Sequence, residues 1–231
     1  MSAISKRPAR RRGAGRKRET DARVVRSRAA VMQAATTLFL RHGYAGTTMD
    51  DIAALAGITK RTVYNNYPDK EVLFTRIVME MIAYAERFAH GLQGEFGTVR
   101  TPAALRARLH DLGRRMALAI VTPEVIALRR LLIGEARAFP GLGRAYFDRA
   151  PGQVIAALAA GFETLARADL LRVRNKQRAA EQFAYLVVGA RLDEGILIGR
   201  APTKARLVSS AREGVETFLA RYALHEAPAA A

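Results

Sequence analysis

Two short helical stretches joined by a three-residue turn, within residues 48–66, constrain this chain more than any other feature. Thr48 stands where its hydroxyl caps the orphan N–H groups of a helix start. Asp51, three residues on, mimics a capping box and puts negative charge at the positive end of the helix dipole. That helix runs to Ala56 and stops at Gly57, which takes the left-handed conformation without a Cβ penalty. Thr59 caps a second stretch reaching about Asn66, before Tyr67 and Pro68. Ile52, Ala53, Ala56, Ile58 and Val63 are small or apolar where two helices must pack closely, whereas Lys60, Arg61, Thr62, Tyr64 and Asn65 are left to face outward. The pair fits a helix-turn-helix, whose first helix braces the DNA backbone while the second enters the major groove. A purely structural hairpin rarely leaves so polar a helix.

The flanking pattern is helical as well. Val31, Ala34, Ala35, Leu38 and Phe39 recur at the three-and-four spacing of a core-facing helix that stops at Gly43, with order beginning near residues 20–23. Asp69 caps a longer helix from Lys70 towards His90, with a stripe of Val72, Leu73, Ile77, Met81, Ile82 and Phe88. Beyond a break at 91–101, helices are punctuated at Thr122-Pro123, Phe139-Pro140-Gly141, Ala150-Pro151-Gly152 and Ala201-Pro202. A charged connection at 170–177 precedes an apolar helix over about 178–198. A last helix, about 203–224, aligns Leu207, Val208, Ala211, Val215, Phe218, Leu219 and Tyr222. No period-two alternation marks a strand. The expected fold class is all-α: a basic arm (1–20), a three-helix helix-turn-helix DNA-binding domain (21–68), a helical ligand-binding and dimerisation domain (69–226) and a short tail (227–231).

The net charge of +17 points to a polyanionic partner, although 32 Arg against 6 Lys is also a skew that a GC-rich genome produces. Distribution is more informative. Residues 1–18 carry +8 with no acid, 19–74 only +1, and 75–231 the remaining +8. The arm lacks apolar periodicity and is expected to be disordered when free. Cysteine is absent, which removes disulfides, thiol nucleophiles and Cys-type metal sites. The longest apolar stretches fall short of the roughly 20 residues that cross a bilayer, and the basic N-terminus is not followed by a signal-like apolar run. A cytoplasmic protein with no membrane partner is expected.

Leu38-Phe39, Gly43-Tyr44, Thr47-Thr48, Asp51-Ile52-Ala53, Ala56-Gly57-Ile58-Thr59, Thr62-Val63-Tyr64 and Tyr67-Pro68-Asp69-Lys70 with Leu73 resemble the TetR family signature over residues 31–74. The resemblance implies an all-helical homodimer that reads double-stranded DNA with its third helix and binds a small-molecule effector in its C-terminal domain. On the matching positions it implies backbone contacts from Thr48, Thr59, Tyr64, Tyr67 and Lys70, consistent with hydroxyls and cations positioning a protein on phosphate. Lys60, Arg61, Thr62 and Asn65 are the candidates for base edges, with Arg or Lys suited to guanine, Asn to adenine and the Thr methyl to thymine. Many family members carry a small residue at the position of Arg61, which here either reads a guanine or clamps phosphate. Arg11 and Arg12 in the arm are candidates for a narrowed minor groove, the alternative being a solvated charge run.

The C-terminal half shows no catalytic constellation, cofactor motif or metal spacing. His42, His90, His110 and His225 are far apart, and Asp111 beside His110 faces another side of a helix. Met116, Leu132, Phe139, Tyr146, Phe147 and Phe162 are candidates for lining a ligand pocket, although spacing alone does not separate lining from core. Thr122-Pro123-Glu124, Arg129-Arg130, Glu135, Phe139-Pro140 and 179–183 resemble the C-terminal domain of AefR-like repressors, which implies dimerisation through the last two long helices. The reading is a regulator, most simply a repressor, released from a palindromic operator by a small apolar or amphipathic ligand. The rival is a basic protein coating DNA without sequence preference.

Overall fold

The computed structural model describes residues 13–224, with side chains described from residue 23 onward. Among these residues every regular element is helical: α1 (Gly13–His42), α2 (Met49–Ala56), α3 (Lys60–Asn66), α4 (Lys70–Gly91), α5 (Pro102–Ile120), α6 (Pro123–Gly134), α7 (Pro140–Arg149), α8 (Pro151–Arg167), α9 (Lys176–Ala184), α10 (Ala190–Ile198) and α11 (Lys204–Tyr222). A five-residue π-helical turn, Tyr185–Gly189, joins α9 to α10. The one extended pairing among the described residues is an isolated bridge between Leu171 and Ala223.

Local chemistry sets most of the boundaries. Thr101, Thr122, Asn175 and Thr203 accept from backbone N–H groups three residues on, and Pro102 and Pro123 open the helices behind the first two caps. Pro140 and Pro151 open α7 and α8 without a side-chain cap. The helix α1 begins at Gly13, earlier than the onset at 20–23 that apolar periodicity indicates. Arg, Lys and Glu over 16–19 are good helix formers that need no buried face to propagate a helix. The apolar stretch over 178–198 is not one α-helix: it starts at Lys176 and is interrupted by the π-helical turn.

The chain forms two compact units, Met1–Phe74 and Thr75–Ala231. The boundary lies within α4 rather than at Pro68, because Leu73 and Phe74 are fully buried in the first unit's core. The Phe74 ring lies 5.7 Å from that of Phe39 and 5.2 Å from that of Tyr44. Val31, Ala34, Ala35, Ile52, Ala53 and Val63 complete that core, while Val72 stays exposed.

In the second unit α11 packs along α5 and crosses the π-helical turn closely; a Cβ on Gly214 would sit 2.4 Å from the Leu186 carbonyl oxygen. The centre is aromatic. Phe162 is fully buried, with its ring 6.1 Å from Phe96, 5.4 Å from Phe183 and 4.9 Å from Phe218. No helix among the described residues is long and apolar enough to cross a membrane.

Candidate nucleic-acid interface

The second helix is capped reciprocally. The Thr48 hydroxyl accepts from Asp51 N–H at 3.1 Å, while the Asp51 carboxylate accepts from Thr48 N–H at 3.2 Å and from its hydroxyl at 2.6 Å. These bonds from Thr48 hold the Asp51 carboxyl below the usual carboxylate range. Gly57 then ends α2 in the left-handed region at φ 65°, a conformation that strains any residue with a Cβ. The chain re-enters helix at Thr59, whose hydroxyl accepts from Thr62 N–H and lies 2.9 Å from the Thr62 hydroxyl. With Val63 buried, α3 presents Arg61, Tyr64 and Asn65 on its exposed side.

The three cations of this region are not equivalent. Lys60 donates to Asp50 at 2.6 Å across the α2–α3 turn, and that hydrogen bond and charge raise the ammonium pKa. Lys70 is tied to the loop before α2, donating to the carbonyls of Tyr44 at 2.7 Å and Thr47 at 2.9 Å, with its ammonium 4.3 Å from the Tyr44 ring centroid. Arg61 is exposed and has neither an ion pair nor a hydrogen bond among the described residues. The guanidinium is therefore the cation free to meet a new acceptor without breaking an existing bond. Tyr67 is buried at 8% exposure and serves as the C-cap of α3. Arg11 and Arg12 lie outside the described residues.

Three contributors were not read from the sequence. Asp50 is one; Ser27 and Arg28 of α1 are the others. Asn66 accepts from Arg28 Nε at 3.3 Å and donates to the Ser27 hydroxyl at 3.4 Å and to the Thr62 carbonyl at 2.9 Å, which ties the end of α3 to α1. Partners 38 and 39 positions away leave no local pattern.

The second unit contains a cavity of about 100 Å³ walled by α4 to α8, the π-helical turn and α10. Of the six pocket candidates, Met116 and Tyr146 are on its wall. The other four candidates do not: Phe162 is at the centre of the core, Leu132 is buried elsewhere on α6, Phe139 precedes α7, and Phe147 is 57% exposed. Apolar spacing marks burial, and burial is shared by core and cavity wall. Arg129, Tyr84, Phe88 and Tyr185 also line the cavity. His110 is 2.6 Å from Glu216, which also accepts from Arg106, and Asp111 is engaged by Arg114 and Arg115. The two neighbours thus belong to separate ion-pair groups. Among the described residues no group of three or more ligating side chains is placed to hold a metal.

Residues 31–77 match the family model of bacterial regulatory proteins of the tetR family, and 107–224 match that of the C-terminal domain of AefR-like transcriptional repressors. The chain is 40% identical over 52 residues to the HTH-type transcriptional regulator YhgD of Bacillus subtilis (strain 168), 22% of this chain and 27% of that protein. It is 32% identical over 80 residues to the HTH-type transcriptional repressor BepR of Brucella suis biovar 1 (strain 1330), 32% of this chain and 38% of that one. These matches span about a quarter to two-fifths of the curated relatives' length. The solved structure of a TetR-family protein from Mesorhizobium loti MAFF303099 is 30% identical with a TM-score of 0.76, covering 87% of this chain and 99% of that one. The flavonoid-responsive regulator FrrA is likewise 30% identical, with a TM-score of 0.61 and coverage of 86% and 97%. Since the likeness extends from the capped α2–α3 pair through the helices that wall the cavity, the chain belongs to the TetR family of DNA-binding transcriptional regulators.

Proposed function

We propose that this regulator is a cytoplasmic repressor that binds a near-palindromic operator as a homodimer and leaves it when a small apolar or amphipathic effector fills the cavity. The observation that carries this reading is the exposed side of α3, where an unengaged Arg61 stands beside exposed Tyr64 and Asn65. Such a helix reads base edges in the major groove, and a two-fold dimer sets two of them about one helical turn apart. Dimerisation through the last two long helical stretches is supported by Tyr185, Leu186, Leu197, Ile198 and Val208, exposed apolar side chains on the π-helical turn, α10 and α11. Effector response is supported by the cavity and by likeness to a flavonoid-responsive regulator. The helix α4 carries Leu73 and Phe74 of the first unit's core and Met81, Tyr84 and Phe88 of the cavity wall. An effector that prefers one position of α4 therefore biases the DNA-binding state.

Selection of bound duplexes from a random library tests the reading. The expected product is a dyad with half-sites roughly 10 base pairs apart. Equal affinity for all sequences, lost when residues 1–18 are removed, would instead favour non-specific coating by the arm.

Asp50 makes a separate expectation. Its carboxylate neutralises Lys60 beside the proposed DNA surface, so Asp50→Asn releases that ammonium and removes a like charge from the phosphates. Affinity for any sequence should rise, and the slope of log K against log salt should steepen by about 0.9 per released cation. Anisotropy titrations of a random duplex across a salt series measure both. An unchanged slope would mean that Lys60 does not approach phosphate.

A further inference from the structure

Among the described residues Arg129 is the one charged side chain on the cavity wall, and no Asp or Glu shares that wall. Its Nε donates to the Tyr146 hydroxyl at 3.3 Å, and its guanidinium lies 5.6 Å from the Tyr146 ring centroid. These contacts fix one edge of the guanidinium and leave both Nη groups without a hydrogen-bond or ion-pair partner among the described residues. Other arginines of this unit are satisfied differently: Arg106, Arg115, Arg149 and Arg206 each donate to a glutamate. A half-buried cation facing an apolar wall is costly unless something pairs with it, and the fork of two Nη groups matches a carboxylate bidentately.

The remaining wall describes the body of the ligand. Tyr84, Phe88, Tyr146 and Tyr185 present aromatic rings. A cavity of about 100 Å³ is on the scale of a single ring, since an apolar cavity of about 150 Å³ holds benzene. Part of the wall is the π-helical turn, whose Tyr185, Val188 and Gly189 all line the cavity. Turns of this kind recur at functional sites. A Cβ on Gly189 would meet the Tyr185 ring at 3.2 Å, so the glycine is what allows that ring to lie close to the turn.

We infer that the cavity takes a one-ring aromatic carboxylate, its carboxylate received by the two Nη groups of Arg129 and its ring packed among Tyr84, Phe88 and Tyr185. This inference rests on the reading of the cavity as the effector site.

Calorimetric titration of the full chain with benzoate, benzamide, cyclohexanecarboxylate and the neutral flavanone naringenin tests it. Benzoate should bind saturably, with benzamide weaker by about tenfold or more for lack of the charge and cyclohexanecarboxylate weaker by about two- to tenfold for lack of aromatic contacts. Arg129→Gln should weaken benzoate about tenfold and leave benzamide unchanged, the latter showing that the variant's cavity is intact. Tyr146→Phe, which removes the hydroxyl that holds Nε, should give a smaller loss for benzoate alone. Benzamide or cyclohexanecarboxylate binding as well as benzoate, or benzoate indifferent to Arg129→Gln, would overturn the inference. Naringenin binding while benzoate does not would overturn it and leave the cavity standing as an effector site. Binding by none of the four would count against both.

Discussion

Phe162→Ala is expected to lower the unfolding free energy of the second unit by about 3–5 kcal/mol, among the largest losses a single truncation causes. The ring is fully buried and contacts three other phenylalanines, Phe96, Phe183 and Phe218, with centroid distances from 4.9 to 6.1 Å. Removing it deletes apolar burial and aromatic edge contacts at once, and it leaves a void bounded by rigid rings that collapse poorly. Denaturant titration followed by circular dichroism, at matched protein concentrations, reports the shift in midpoint. A loss under about 1 kcal/mol would place Phe162 at a yielding position, as a ligand-facing residue would be. Phe147→Ala is the internal contrast, since at 57% exposure that ring should cost little.

Arg61→Ala should relax specificity at one base position in each half-site, with a discrimination loss of about 1–3 kcal/mol per half-site. On the proposed reading both copies of the dimer act on one operator, so the combined loss should approach twice that figure. Arg61 carries this expectation because Lys60 and Lys70 already have partners in the protein, whereas Arg61 has none among the described residues. The comparison is between the selected operator and its single-base variants, measured by anisotropy at fixed salt. Equal weakening on every sequence would mean that the guanidinium rests on phosphate instead.

The helix starts were legible in the sequence because caps act locally. Thr48 with Asp51, Thr59, Thr122-Pro123, Pro140 and Pro151 each set a boundary through their own backbone chemistry. The helix-turn-helix was legible for the same reason. What escaped depended on distance in the chain. Lys60 meets Asp50 ten positions away, and Lys70 meets Tyr44 twenty-six positions away. These partners change what each cation is free to do, although Lys70 lies in the stretch that resembles the family signature. The π-helical turn escaped because no breaker marks it: Tyr185, Leu186, Val187, Val188 and Gly189 continue an apolar run. Among the pocket candidates Met116 and Tyr146 reached the cavity wall while Phe162 went to the core, since a periodic apolar position records only that water is excluded.

The tether from Lys70 to the carbonyls of Tyr44 and Thr47 has a mechanical consequence. It fastens the first turn of α4 to the loop that launches α2, and Asn66 fastens the end of α3 back to α1. The start of α2 and the end of α3 are thus each held by side-chain hydrogen bonds to another element. On the proposed reading, a displacement of α4 should therefore carry α3 with it rather than be absorbed in the loop before α2.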